Sequence, residues 1–85
     1  MGQHKRPDVM RRLARIEGHV RATAKMVESG RSYPEVVQQI SAIRSSLDSI
    51  VEVIVEDLVE DCIKGSTSHG RGSALQLKEV IARVR

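Results

Sequence analysis

The stretch YPEVVQQISAIRSSLDSIVEVIVEDLVEDCIK, residues 33–64, decides the fold of this chain of 85 residues. Its apolar residues recur at steps of three and four, which is the period of an amphipathic helix; they are Val36, Ile40, Ile43, Leu47, Val51, Ile54, Leu58 and Cys62. Ser32 and Glu35 have capping-box spacing, and Pro34 favours an early helical position. The pattern therefore predicts one long helix that ends before Gly65.

This long helix is too extended to be covered by its own chain. About 30 helical residues span roughly 45 Å, whereas a domain this small buries only about 60% of the surface that its unfolded chain exposes. In the second half, further apolar residues widen the face that needs a partner; they are Val53, Val55, Val59 and Ile63. We interpret this face as a subunit interface.

Two more helices flank the long one. The first is predicted over about 7–29, with Pro7 in its first turn and apolar positions at Val9, Leu13, Ile16, Val20, Ala24 and Val27. Residues 65–72, GSTSHGRG, are predicted to be a flexible connection. Ser73 and Gln76 then have capping-box spacing and open a third helix over about 73–84. With one Tyr and no Phe or Trp, the composition favours a single all-α domain over residues 1–85.

The location predicted from composition is the cytoplasm. The single cysteine excludes an internal disulfide, and the polar, basic N-terminus does not resemble a secretory signal. Charged residues interrupt every apolar segment, so none approaches the roughly 20 residues that cross a bilayer. We expect no membrane association.

Charge divides the chain into three parts. Residues 1–31 hold eight Lys or Arg against three acids, residues 32–64 hold two against seven, and residues 65–85 hold four against one. A basic first segment is an electrostatic footprint for a polyanion, and the lack of an aromatic platform favours duplex DNA over single strands. The alternative, a solvated helix face, has equal weight on charge alone. No helix-turn-helix pattern is visible, so binding would use charge and shape across an oligomer.

Cysteine and histidine show no metal-site spacing. Cys62 lies on an apolar stripe, where a small buried hydrophobe is the commoner role; a sensor thiolate would need partial exposure and a lowered pKa. His4, His19 and His69 include no pair four residues apart on a helix. No nucleophile lies beside a base, and no Gly-rich phosphate loop is present. We therefore do not expect an enzyme.

Three segments together resemble the CsoR/RcnR/FrmR family of bacterial repressors: RRLARIEGHVRA (11–22), GRSYPEVVQQISAIRSSLD (30–48) and VEDLVEDCIKG (55–65). The resemblance implies a three-helix protomer that pairs through its long central helix into an antiparallel dimer, with dimers assembling into a homotetramer. It also implies a repressor of metal-efflux or thiol- and aldehyde-stress operons that leaves DNA when an effector binds. The DNA contacts it implies fall on Arg12 and Arg15, supported by Lys5, Arg6 and Arg11.

The sensor positions depart from the family pattern. Copper-binding members have a Cys six residues before the Gln of the QIS motif, and a His and a Cys four residues apart on the partner's helix. These positions hold Tyr33, Leu58 and Cys62 here. Cu(I) needs two or three soft ligands, so we expect no classical Cu(I) site and no certain cofactor. Formaldehyde- and persulfide-responsive members also depend on the thiol that Tyr33 replaces.

Four effector hypotheses stay open at this point: a single-thiol switch at Cys62, a metal bound through His4 and Cys62 with exogenous ligands, a lost effector, and a new small-ligand pocket at Tyr33 and Leu58. The predicted function is a DNA-binding transcriptional repressor released by a metal or thiol-reactive effector. The alternative is an oligomeric helical scaffold that no longer binds DNA.

Overall fold

Three helices make up the regular structure of the described part of the chain. The structure is a computed structural model that describes residues 5–64 and 67–84, without the side chains of 67–71 and 73. Helix α1 spans Arg6–Glu28, α2 spans Tyr33–Lys64 and α3 spans Thr67–Arg83. The predicted all-α class is confirmed. None of these helices combines the length and the apolar character needed to cross a bilayer.

The helices lie side by side in a single layer. Both α1 and α3 pack on α2, and the molecule measures 56 × 25 × 13 Å. The short dimension is close to the diameter of one helix. The radius of gyration is 16.8 Å, whereas a compact chain of this length would have one of about 12 Å. One layer leaves apolar residues uncovered, because stable domains need at least two packed layers.

A small core joins α1 to α2. Ile16 of α1 packs with Ile43 and Ile50 of α2, and Val9 lies against them. The α2 members are seven residues apart, so they share one side of the helix and form a continuous seam with α1.

An apolar face stays exposed on one side of this seam. It consists of residues spaced seven apart on each helix, and their side chains are 37% to 52% exposed: Leu13, Val20, Val27, Ile40, Leu47 and Ile54. At 100° per residue, those of α1 lie about 20–60° around the helix from Ile16, and those of α2 lie about 20–60° from Ile43. Because the two helices run antiparallel, both sets face the same side of the layer.

The turn between α1 and α2 is built from local signals. Gly30 has a φ of +81°, a left-handed conformation that glycine adopts without a Cβ clash. Its N–H bonds Val27 O at 3.1 Å and the N–H of Arg31 bonds Met26 O at 3.0 Å, which is a Schellman motif. Ser32 Oγ then accepts from the Glu35 N–H at 3.4 Å, which is one of the two bonds that the capping-box spacing predicts. The Ser32 hydroxyl also donates to Glu35 Oε1 at 2.9 Å.

The helix boundaries agree closely with the sequence except at α3. Helix α2 has the predicted bounds, and α1 begins and ends one residue earlier than predicted. The prediction of a flexible connection was wrong from Thr67 onward, because α3 begins there rather than near residue 73; residues 65 and 66 lie outside the described part. Once a helix is nucleated, each added residue gains a hydrogen bond, which offsets the roughly 1 kcal/mol cost of each glycine at 70 and 72.

Candidate nucleic-acid interface and sensor positions

A polar cleft lies between α1 and α2, on the side of the seam opposite the apolar face. Its volume is about 180 Å³. The lining residues are Arg12, Arg15, Ile16 and His19 from α1, and Ser46 and Ser49 from α2. None of them is a carboxylate, so the charged lining groups of the cleft are the guanidiniums of Arg12 and Arg15. Ile16 is buried and joins the cleft to the core.

Asp8 organises two of the cations beside this cleft. Arg11 Nη2 donates to Asp8 Oδ1 at 2.9 Å, and Arg12 Nε donates to Asp8 Oδ2 at 2.9 Å. Partial burial raises the pKa of Asp8, but the hydrogen bonds and charges of Arg12 and Arg11 outweigh it and hold the pKa below its ordinary value. Asp8 is therefore ionised at neutral pH, and it neutralises part of the charge on this side.

Arg15 and His19 complete the α1 wall of the cleft. The side chain of Arg15 makes no ion pair and no hydrogen bond with a described residue, so its guanidinium is available to an anion. His19 Nε2 lies 2.7 Å from Gln39 Oε1, so a hydrogen bond joins the imidazole of α1 to the side-chain amide of α2. Thr23, which is buried, donates to His19 O at 2.8 Å. The imidazole is thus held by Gln39 of α2, and the Thr23 bond is internal to the backbone of α1.

The structure separates the five cations that the sequence grouped together. Arg12 and Arg15 line the cleft and Arg11 lies beside it. Lys5 and Arg6 instead line a second, larger cavity of about 410 Å³ among all three helices. Lys5 Nζ is 3.5 Å from Glu56 and 3.7 Å from Glu60.

The three sensor positions do not meet within one chain. Tyr33 is the first residue of α2 and is 78% exposed, Leu58 is 6% exposed, and Cys62 is partly exposed near the end of the helix. The 29 residues from Tyr33 to Cys62 correspond to about 43 Å along α2. His4 lies outside the described residues, as does the side chain of His69.

The residues at these positions do not fit a metal ion within this chain. Among the side chains that the structure describes, which leave out those of 67–71 and 73, no group of three or more His, Cys, Asp or Glu could hold one. A phenol, an isobutyl group and one thiol also do not supply the soft ligands that Cu(I) requires.

Sequence reasoning missed the α2 wall of the cleft. Ser46 and Ser49 are three residues apart, and so lie on one face of α2. One signal was available in the sequence: around α2, this face lies on the opposite side of Ile43 from Leu47, and so away from the apolar face. Serines on an exposed helix face have no distinctive pattern, so only their position beside Arg12 and Arg15 makes them notable.

Comparison with known proteins decides the family. A family model described as metal-sensitive transcriptional repressor matches residues 5–85. The chain belongs to this family. The predicted resemblance to the CsoR group is thereby confirmed.

Similar proteins are repressors and regulators that respond to metals. The copper-sensing transcriptional repressor RicR of Mycobacterium tuberculosis is 31% identical over 78 residues, covering 87% of this chain and 81% of that protein. The copper-sensing transcriptional repressor CsoR of Bacillus subtilis is 31% identical over 64 residues, covering 75% of this chain and 63% of that protein. A solved structure of the nickel-responsive transcriptional regulator InrS matches with a TM-score of 0.80 and 33% identity, over 98% of this chain and 96% of that one.

The metal-sensitive repressor family is one of DNA-binding regulators, not of enzymes. This chain is accordingly a DNA-binding transcriptional repressor, with metals as the effectors of its family.

Proposed function

We propose that this repressor binds duplex operator DNA through the cleft side of the α1–α2 layer. Arg12 and Arg15 are the principal contacts, and Lys5, Arg6 and Arg11 give support from the start of α1. The observation that carries this assignment is the cleft itself, which has two guanidinium groups and no carboxylate among its lining residues. It faces away from the apolar residues that a partner subunit would cover.

The physical basis is phosphate neutralisation. Guanidinium groups bind phosphate oxygens through paired hydrogen bonds, and each neutralised phosphate releases counterions, which makes the affinity strongly salt-dependent. Such contacts position a protein on the duplex and carry little sequence information. Operator selectivity then comes from the spacing of several clefts across an oligomer and from DNA shape.

The oligomer belongs to this proposal. A single layer with a continuous apolar face is completed by a second copy of the chain, which gives an antiparallel dimer and, by pairing of dimers, a tetramer. The exposed apolar residues Leu13, Val20, Ile40 and Leu47 support it. Residues 1–85 act as one CsoR-like domain, and the repressor works in the cytoplasm, where it meets its operator.

The effector in this proposal is either a metal or a thiol-reactive compound. It is not Cu(I) held at the three positions that bind copper in other family members. Tyr33 and Leu58 stand where copper-binding members have soft ligands, and Cys62 alone keeps a thiol. His4 is the candidate for an additional ligand. A phenol at Tyr33 and an isobutyl group at Leu58 are not soft metal ligands. They support release by a signal different from that of RicR and CsoR.

Charge reversal tests the DNA surface. Arg12→Glu with Arg15→Glu should abolish binding of the DNA upstream of the repressor's own gene, measured by fluorescence anisotropy at several salt concentrations. Single Arg→Gln variants should each reduce the magnitude of the slope of log K against log salt by about 0.9 for every subunit whose cleft contacts the DNA. Arg21→Glu is the matched control, because Arg21 lies on the outer side of α1 and pairs with Glu17 at 3.8 Å.

Two outcomes would contradict this assignment. If the double reversal left affinity unchanged, the DNA surface would lie elsewhere. If the unchanged chain formed its oligomer but showed no salt-dependent binding to any duplex, the scaffold alternative would replace the repressor.

A further inference from the structure

We propose that the cleft is a subsite for one backbone phosphate of duplex DNA, in which Ser46 and Ser49 of α2 bind the phosphate together with Arg12 and Arg15 of α1. This inference rests on the proposed function and deepens it, because it assigns DNA contacts to hydroxyl groups of the long helix. The ligand class is a phosphodiester.

The size and charge of the cleft fit one phosphate group. Its 180 Å³ is below the roughly 300 Å³ at which pockets for drug-sized ligands begin. The larger cavity of 410 Å³ is lined by Asp57 and Glu79 as well as by cations, so carboxylates there oppose an anion. In the small cleft, every titratable lining side chain is a cation or a histidine.

The arginine donors in the cleft are free on the side that a phosphate would approach. Asp8 accepts a hydrogen bond from Nε of Arg12, and the terminal nitrogens of Arg12 make no hydrogen bond with a described residue. Asp8 therefore limits the movement of this guanidinium while leaving its outer N–H groups for an anion. Arg15 has no described partner. Two guanidiniums with unused donors are the arrangement that binds phosphate oxygens most strongly.

The α2 serines supply hydroxyl donors from the other wall. The Ser46 hydroxyl makes no hydrogen bond with a described residue, and Ser49 Oγ donates to Ser45 O at 3.2 Å. The bond of Ser49 is long and exposed, so its hydroxyl can turn toward a phosphate at low cost. Side chains of Ser, together with Arg and backbone N–H groups, commonly contact phosphates in protein–DNA complexes.

The core keeps the two walls at a fixed distance. Ile16 is buried against Ile43 and Ile50, and the hydrogen bond of His19 to Gln39 links the helices at the side of the cleft. Because the arginines and serines belong to different helices, the phosphate contact depends on how α1 packs on α2.

The test is a double variant, Ser46→Ala with Ser49→Ala, measured by fluorescence anisotropy with operator duplex. Hydrogen bonds to a charged group are among the stronger ones, and loss of a single one corresponds to about a 10-fold change. Because the variant removes two hydroxyls from each cleft, we expect affinity to fall by at least about 10-fold. The salt slope should stay nearly unchanged, because serine carries no charge and releases no counterion. Arg15→Gln should lower both affinity and slope, which separates the two kinds of contact.

Two further variants keep the test specific. Ser45→Ala removes an exposed hydroxyl one residue from Ser46, yet it leaves the Ser45 carbonyl that Ser49 uses; it should bind DNA like the unchanged protein. Ser49→Asp should weaken binding more than Ser49→Ala, because it places a carboxylate in the cleft. Far-ultraviolet circular dichroism should show the same helical content in all variants.

The results distinguish this inference from the proposed function. Full affinity in the double alanine variant, with binding lost on reversal of Arg12 and Arg15, would overturn the serine assignment alone. Full affinity in the double alanine variant and in the double charge reversal would overturn both the serine assignment and the proposed DNA surface. One further result would also overturn the inference: millimolar inorganic phosphate displaces DNA at constant ionic strength, and the double alanine variant loses no DNA affinity. The cleft would then bind the free ion and not the DNA backbone.

Discussion

Replacement of Leu47 by alanine should weaken the dimer that we propose for this repressor. On α2, the apolar face consists of Ile40, Leu47 and Ile54, which are evenly spaced about Leu47. A two-fold axis at Leu47 would therefore place Ile40 of one copy opposite Ile54 of the other, and Leu47 opposite itself. Symmetric dimers use the same surface twice, so one substitution truncates two side chains at the interface.

The magnitude follows from the exposure of Leu47. Full burial of a leucine side chain stabilises by about 1.5–3 kcal/mol, and 42% of Leu47 is still exposed in the single chain. Covering that remainder contributes about 0.6–1.3 kcal/mol per subunit, or about 1.3–2.5 kcal/mol per dimer. This corresponds to a dimer Kd raised by about 10- to 70-fold. Because alanine keeps the Cβ, we expect a value near the lower end.

Sedimentation equilibrium across a range of concentrations measures this Kd directly. Val59→Ala is the control. The sequence pattern grouped Val59 with the interface residues, and it is 36% exposed, but it lies about 120° around α2 from Leu47 and so outside the apolar face. It should leave the Kd within about twofold. An unchanged Kd for Leu47→Ala, or a larger effect for Val59→Ala, would show that the subunits do not meet through this face.

The remaining predictions concern charge, core and sensor. Asp8→Asn should raise the affinity for any duplex more than Glu17→Gln does, because Asp8 engages two arginines at the cleft; equal effects would contradict this. The lowered pKa of Asp8 stabilises the fold above its unfolded-state pKa, so this variant should melt lower than the unchanged protein at pH 7, with the difference vanishing as pH falls through the folded-state pKa. Ile43→Ala should destabilise the fold by about 2–5 kcal/mol in urea unfolding at fixed protein concentration; a loss below about 1 kcal/mol would place Ile43 outside the core. Tyr33→Cys combined with Leu58→His should create Cu(I) binding that a competing chelator assay detects, whereas the unchanged chain should show none; tight binding by the unchanged chain would refute the donor argument.

Much of the fold could be read from local sequence signals. The bounds of α2 follow from its apolar period, the Ser32–Glu35 cap and the glycine after Lys64, which act within a few residues of each other. The turn at Gly30 has the same character. The start of α3 was missed because its glycines argue locally for a loop, while extension of a formed helix is a cooperative effect.

The candidate site was predictable only in part. Its arginines were identified from the basic segment and from the family resemblance, both of which are properties of the linear sequence. The positions of Lys5 and Arg6 on a different cavity were not, because they depend on how the start of α1 packs against the second half of α2, where Lys5 pairs with Glu56 and Glu60. Ser46 and Ser49 carry no signal of their own.

The sequence by itself determined three helices, a basic first segment and a sensor set without the soft ligands of copper-binding relatives, since each depends on residue type and short spacing. Only the tertiary structure decided which residues share a surface. The packing of Ile16 between Ile43 and Ile50 sets the rotation of α1 about α2, and this rotation puts two arginines and two serines on one side of the layer and the apolar face on the other. Such a rotation depends on contacts between residues about 30 positions apart, which no local pattern encodes.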